Sequence, residues 1–515
     1  MNKIIAEKLP ASHAAKRRFT AHQLIELIAD EKSYRSWDST PTQRHMSESY
    51  REELAAASEK SGVDEAIVTG EATIEGRRVA LIACEFSFLA GSVGTAAAER
   101  FVAAMERATA EGLPVLASTA SGGTRMQEGT VAFVAMVKIA AAVASHQRAG
   151  LPYLTYLRHP STGGALASFG SLGQVVVAEP QALIGFLGPR VYEALYGERF
   201  PRGVQSSENL ASRGVIDGVL RPEELREMIA RTLTVLEKPG YDELVELTQR
   251  DTSHHDDPEG SADAWASIVR SRKEERPGLR ELLRYSATDV VPLSGTGQGE
   301  RDPGLELCLA RFEGIPVVVV GQDRRAQRSR SPFGPGALRA ARRAMRLAAE
   351  LRLPLVSVID TPGAALSQAA EEGALASEIA HCLKDLTAHE GATLSVLLGE
   401  GTGGGALALL PADRTVAARH AWLSPLPPEG ASAILFRDTH HAAEIASDQG
   451  VNTASLLREG IVDRVVCESP DAAEEPEAFS RRMGMIIGQE VASLMLRPAE
   501  QRRVERQHRY RRLGR

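Results

Sequence analysis

The same ordered set of signals occurs twice along this chain of 515 residues. A repeat of that length constrains the fold more than any other feature, because each half must close a core of the same kind. Gly76 opens the apolar run Val79 to Cys84, and Gly314 opens Pro316 to Val320 at an offset of 238 (314 minus 76). Leu113-Pro114-Val115 returns as Leu353-Pro354-Leu355 at 240, and the TGGALA run around Gly163 returns as GGGALA around Gly404 at 241. The run GVID from Gly214 returns as GIVD from Gly460 at 246. One such match is within the reach of chance; four in the same order are not.

Within each half, short apolar runs alternate with helical patterns. Ala97, Phe101, Ala104, Met105 and Ala108 recur at three- and four-residue spacing, as do Leu338, Ala341, Met345 and Ala348. Strand followed by helix, repeated, predicts an α/β fold with a parallel sheet layered by helices. Composition divides the chain into a helical leader over 1–60, a first domain over 61–237, a charged, Gly- and Pro-containing linker over 238–300, a second domain over 301–490 and a basic tail over 491–515. The tail carries eight arginines from Arg497 onward and reads either as a solvated helix end or as a surface for an acidic partner.

Hydrophobic residues at 43% and charged residues at 25% describe an ordinary globular protein, and a net charge of -7 gives no reason to expect nucleic acid. Lys3, Glu7 and Lys8 interrupt the start before an apolar run develops, which argues against a secretory signal. Val131 to Ala144 is broken by Lys138 and falls short of the roughly 20 residues of a membrane span, so a buried helix and no membrane are expected there. Cys84, Cys308, Cys382 and Cys467 are too scattered for a zinc ribbon or a disulfide framework, and a reducing cytoplasm fits them.

Two glycine clusters stand where a strand hands over to a helix: Gly163-Gly164 after Tyr153 to Leu157, and Gly403-Gly404-Gly405 after Thr393 to Leu398. The first N–H groups of a helix lack partners, and glycine removes the side chain that would keep a ligand away, so such a turn can hold an oxyanion. Close packing of helix on sheet would select the same residues. Gly399-x-Gly401-x-x-Gly404 fits a dinucleotide fingerprint, but Thr415 to Ser424 holds no acidic residue for a ribose. No phosphate loop, His-Glu-x-x-His or Gly-x-Ser-x-Gly is present.

SGGTRMQEG (Ser121 to Gly129), the run from Pro160 to Val191, and SSENLASRGVIDGVL (Ser206 to Leu220) resemble the beta subunit of bacterial acetyl-CoA carboxylase carboxyltransferase. IDTPGAALSQAAEEG (Ile359 to Gly373), GEGTGGGALAL (Gly399 to Leu409) and PPEGASAILFRD (Pro427 to Asp438) resemble its alpha subunit. The resemblance covers most of residues 50 to 470. It implies two tandem crotonase-like domains, each a β-β-α superhelix, fused in one chain. It departs from the pattern at Glu85 and Ala90, where Asp and Gly are expected, and in having no cysteine before Cys84, so no zinc and no other metal is expected. An Ala-Met-Lys-Met biotinylation motif is also missing. Biotin then arrives as carboxybiotin on a separate biotin carboxyl carrier protein, loaded by a biotin carboxylase.

By that resemblance, Gly163 and Gly164 hold the oxygen of an acyl-CoA thioester, and Gly405 and Ala406 hold the biotin ureido oxygen. Gly122 and Gly123 shape the CoA side, Gly404 belongs to the second turn, and Ala408 lines the acyl pocket, while Arg125 reads either as positioning the CoA-side loop or as a structural ion pair. The biotin anion can itself take the alpha proton, so no protein base is required. Acetyl-CoA is the expected acceptor, with malonyl-CoA for fatty acid synthesis as product. Propionyl-CoA or another acyl-CoA, a crotonase-type hydratase or isomerase, and a decarboxylase subunit are the alternatives. A homo-oligomer is expected, the first half of one chain facing the second half of another. The arginines from Arg324 to Arg346 read either as a solvated face or as attraction for CoA phosphates or an acidic carrier, and His159, His440 and His441 read as surface or supporting residues.

Overall fold

The computed structural model describes residues 18–41, 47–329 and 332–514. The chain divides into two compact units, Met1–Leu233 and Thr234–Arg515. In the first, helix α1 (Ala21–Ile28) precedes strands β1 (Ile67–Ile74) and β2 (Arg77–Cys84), which pair antiparallel. Glu75 and Gly76 join them with φ of 50° and 77°, the paired left-handed turn that suits a twisted hairpin. Helix α2 (Thr95–Ala110) then leads to β3 (Val115–Ser121), α3 (Gly129–Arg148), β4 (Tyr153–Thr162), the short α4 (Gly163–Ala165), β5 (Val175–Ala178) and α5 (Pro189–Tyr196). Strands β2 through β5 are parallel neighbours in an eight-stranded sheet. Phe101 and Met105 of α2 and Ile139 and Val143 of α3 fill the core against Val115 and Tyr153.

The second unit repeats the plan. Helix α6 (Ala264–Ser271) precedes the hairpin β6 (Leu305–Phe312) and β7 (Ile315–Gln322), whose turn at Glu313 and Gly314 has φ of 49° and 81°. There follow α7 (Arg324–Ser329), α8 (Pro335–Leu351), β8 (Leu355–Thr361), α9 (Leu375–Ala388), β9 (Thr393–Thr402), α10 (Gly403–Leu407), β10 (Arg414–Ala418), α11 (Pro428–Leu435) and α12 (Ala499–Arg511). The run of valines in β7 is buried along its whole length, as a strand covered on both faces requires.

The structure sets the repeat at one register. Strands β3 and β8 begin 240 residues apart (355 minus 115), as do β4 and β9 (393 minus 153). Each sheet breaks register at the same place, between Thr119 and Ser121 and between Ile359 and Thr361. Gly163 at φ 60° therefore matches Gly403 at φ 65°, one residue earlier than the sequence match to Gly404. The extra glycine of the second cluster misled the comparison of letters.

Residues 238–300, expected as linker, are folded into the second unit. Helix α6 lies within them, and Ala287–Leu293 adds a strand to the second sheet beside β6. Polar composition there reflects partial exposure rather than looseness. The part of the leader that lies within the described residues is likewise fixed. The Ala21 N–H donates to Glu85 at 2.7 Å, and Arg158, which is 4% exposed, donates to Ser118 Oγ at 2.8 Å, to the Phe19 carbonyl at 2.9 Å and to the Cys84 carbonyl. The basic tail forms α12 and turns one arginine face inward: Arg506 pairs with Asp413 and donates to the Leu386 and His389 carbonyls at 2.8 and 2.7 Å.

Helix α3 is not buried all round. Ala132, Met136, Ile139 and Val143 face the core, while Val131, Phe133, Val134 and Val137 are exposed. Together with the turn before it, from Met126, this helix is long and apolar enough by length and composition to cross a membrane; its inward face is packed in the core.

Candidate active site

In each unit the glycine turn lies at the end of a central parallel strand, where a left-handed glycine lets the chain swing from strand into helix. In the first unit Gly163 takes that conformation, and its N–H donates to the Phe186 carbonyl at 3.0 Å. The loop after β3 lies directly against it. A Cβ on Gly123 would come within 3.2 Å of the Gly163 Cα, and one on Gly163 within 3.1 Å of the Gly123 Cα. Gly122 and Gly123, picked from sequence beside Gly163 and Gly164, are thus brought together with them. Their own N–H groups are committed, Gly122 to the Ala90 carbonyl at 2.9 Å and Gly123 to Ser121 Oγ at 3.0 Å.

Gly164 is held to glycine by its neighbours, since a Cβ there would lie 2.5 Å from Thr124 Oγ1 and 3.3 Å from Met136 Sδ. It stands in the first turn of α4, where an N–H has no carbonyl four residues back within the helix. Such a donor, together with the positive end of the helix, suits an oxygen carrying negative charge.

The second unit builds the same turn at Gly403, Gly404 and Gly405. A Cβ on Gly404 would strike Ile379 Cδ1 at 2.6 Å, and one on Gly405 would press on Phe333 at 3.2 Å. Gly405 lies in the first turn. Ala406 is one step further, where the N–H reaches the carbonyl of the capping residue, here Thr402. By helix geometry Gly404 and Gly405 are the positions without a carbonyl four residues back within the helix. Ala408 closes α10, with its N–H on the Gly404 carbonyl at 3.0 Å, and is fully buried. Its methyl faces the interior, so it lines no open pocket; Leu407 beside it is the exposed residue.

Arg125 is also taken out of contact with any substrate. Its guanidinium is 1% exposed and bound to both oxygens of Glu65, to the Ser92 carbonyl at 2.7 Å and, at 3.4 Å, to Glu128. Burial works against its charge, and the Glu65 carboxylate more than offsets that. Arg125 braces the loop that carries Gly122 and Gly123. Nothing in the sequence pointed to Glu65, 60 positions away. Ala90 was a legible departure: it takes φ 55° in the slot where glycine was expected.

The arginine-rich stretch is not a free cationic face. Arg324 donates to the Ser271 carbonyl at 2.5 Å, Arg328 pairs with Glu400, Arg339 pairs with Glu300 and Glu378, and Arg342 pairs with Asp385 and Glu378. Arg330 lies outside the described residues. His159 accepts the Leu183 N–H at 3.0 Å, and His441 rests on Asp438 at 2.9 Å and stacks on Phe436. Exposed apolar side chains recur at matched positions of the two units: Met126 and Leu366 are 83% and 94% exposed, and Leu195 and Leu435 are 67% and 64%.

A carboxyl transferase domain model matches residues 12–504. The chain belongs to the carboxyl transferase family. It is 58% identical, over 96% of its length and 99% of theirs, to proteins of Mycobacterium tuberculosis and Mycobacterium bovis named probable biotin-dependent acyl-coenzyme A carboxylase beta3 subunit. It is 35% identical, over 90% of the chain and 84% of the relative, to the acetyl-coenzyme A carboxylase carboxyl transferase subunits beta/alpha of Salinispora tropica. Among solved structures it is similar to transcarboxylase 12S, described as a hexamer with methylmalonyl-coenzyme A bound, at TM-score 0.71 and 21% identity, over 92% of this chain and 90% of that one. The tandem crotonase-like α/β fold of this carboxyl transferase is thereby shown.

Proposed function

We propose that this carboxyl transferase is the carboxyltransferase component of a biotin-dependent acyl-CoA carboxylase, acting on acetyl-CoA to give malonyl-CoA. The observation that carries this is the duplicated glycine turn. Carboxyl transfer needs two oxyanions stabilised, an enolate derived from the thioester and the ureido oxygen of biotin, and one helix start is available for each. The names of the relatives support the reaction class, and the resemblance of the second half to an acetyl-specific subunit supports the acyl group.

The first unit is assigned to the thioester, with Gly164 as the main donor, and the second to biotin, with Gly405 as the main donor. The second turn suits a ureido oxygen because Gly404 and Gly405 stand in the first turn of α10, where an N–H has no carbonyl four residues back within the helix. When bound, carboxybiotin supplies the carboxyl group and, once relieved of it, a base for the alpha proton. The chain's own part is to hold the two oxygens and position the partners. Carrier protein and biotin carboxylase are separate partners, and the exposed apolar faces support assembly with the first half of one copy facing the second half of another.

Gly405→Pro removes one donor on the biotin side and should lower turnover by about 100- to 1,000-fold while acyl-CoA binding stays within a few-fold. Gly164→Pro should cripple the CoA side and spare carrier binding. Titrations with acyl-CoA and with biotinylated carrier, beside malonyl-CoA formation, test this. If each variant lost the opposite ligand, or both kept near-normal turnover, the assignment falls. A panel of purified acyl-CoA substrates tests the acyl length.

A further inference from the structure

The second unit carries, at the root of its glycine turn, two buried carboxylates that have no counterpart at the same register of the first unit. Strand β9 is buried along its whole length, yet it places Glu400 between Gly399 and Gly401, two residues before the cap Thr402. Glu400 is 2% exposed. One of its oxygens pairs with Arg328 of α7, and the other lies 3.4 Å from Nε of Arg272, which caps α6. Arg272 in turn binds both oxygens of Glu429, in the first turn of α11, at 2.5 and 3.1 Å. Beneath them Asp360, at the end of β8, accepts the Glu400 N–H at 3.0 Å and lies 3.4 Å from Arg324.

The chain leading into α11 crosses the turn itself, since a Cβ on Gly403 would sit 3.3 Å from the Pro425 carbonyl oxygen. A tie from Glu400 through Arg272 to Glu429 therefore fixes the segment that borders the turn. Burying carboxylates costs free energy unless they are paired, and burial raises both the Glu400 and Asp360 carboxyls, opposed chiefly by Arg328 and Arg324 respectively. The fold does not require this expense. At the same register the first unit has Pro160 for Glu400 and Ala120 for Asp360, and its turn forms all the same.

We propose that Glu400 is a positioning residue for the second unit's turn: acting through Arg272 and Glu429, it holds α11 and the segment before it in place for the biotinylated carrier. This rests on the assignment of biotin to the second unit. The acyl-CoA side has no part in it.

The test uses the full chain with purified biotinylated carrier, acetyl-CoA and the loading enzyme, comparing Glu400→Gln and Glu429→Gln with the parent. Glu429 is partly exposed, so its variant breaks only the outer tie and decides the matter if Glu400→Gln does not fold. For Glu429→Gln the KM for carrier should rise about 3- to 10-fold, and for folded Glu400→Gln kcat/KM for carrier should fall about 10- to 100-fold. The KM for acetyl-CoA should stay within about twofold in both, and the melting temperature of Glu429→Gln should match the parent. A purely supporting role would move stability and leave this split unmoved. Parent activity with an unchanged carrier KM in folded Glu429→Gln, or an equal rise in both KM values, overturns the proposal. A parent that transfers no carboxyl group overturns instead the functional assignment beneath it.

Discussion

Ala90 holds a left-handed backbone that an alanine adopts only at a cost, and its carbonyl receives the Gly122 N–H beside the first glycine turn. Ala90→Gly should therefore stabilise the first unit by about 1 kcal/mol, seen as a rise in the melting temperature by calorimetry. A lower melting temperature would mean that the alanine methyl packs better than its backbone suffers. Arg125 and Glu65 make the opposite kind of case. Arg125→Met leaves a carboxylate buried without its partner and should cost about 3 to 5 kcal/mol, whereas the double change with Glu65→Gln should recover much of that. If the double variant were no better than the single one, the pair would not be the source of the loss.

Among the elements, α12 is tied to the end of α9 through Arg506, and the cap of α9 is His389. His389 is buried, its Nε2 has no hydrogen-bond partner among the described residues, and burial, with Arg506 and Arg502 nearby, lowers its pKa to about 4 from the ordinary 6.5. The folded state thus resists the proton that the unfolded chain accepts. Stability from this group is complete above pH 6.5 and is lost as pH falls toward 4, by about 3 kcal/mol in all. His389→Gln should flatten that part of the stability curve measured by urea titration at several pH values; an unchanged slope would remove His389 from the account. The α/β class and the twofold repeat were legible because apolar runs and helical spacing are local signals. The glycines of both turns were legible because duplication marked them. What escaped the sequence is whatever depends on distant partners: Glu65 for Arg125, Asp413 for the tail arginines, and the inward methyl of Ala408, which looked no different from one lining a pocket. Glu400 also escaped, because the apolar run read as a strand stops at Leu398 while the strand itself continues to Thr402, and the partners Arg272 and Glu429 lie far away in the chain.

For the molecule as a whole, the exposed faces of α3 and α11 predict assembly. Phe133→Glu should shift the mass measured by light scattering toward the single chain and reduce carboxyl transfer in parallel; a single chain with full activity would refute assembly through this face. No group of three or more His, Cys, Asp or Glu side chains converges as a metal site among the described residues, and turnover should survive chelators. One tightly bound zinc per chain, needed for turnover, would end that expectation. Arg158 bears on a different question, the susceptibility of the leader to proteases. Its guanidinium grips the carbonyl before α1 from inside the sheet, so the leader can be lifted away only by leaving a buried cation without one of its acceptors. A protease that needs an extended, detached segment will find residues 19 to 28 a poor substrate until the first unit opens, and the cuts made under native conditions should fall elsewhere.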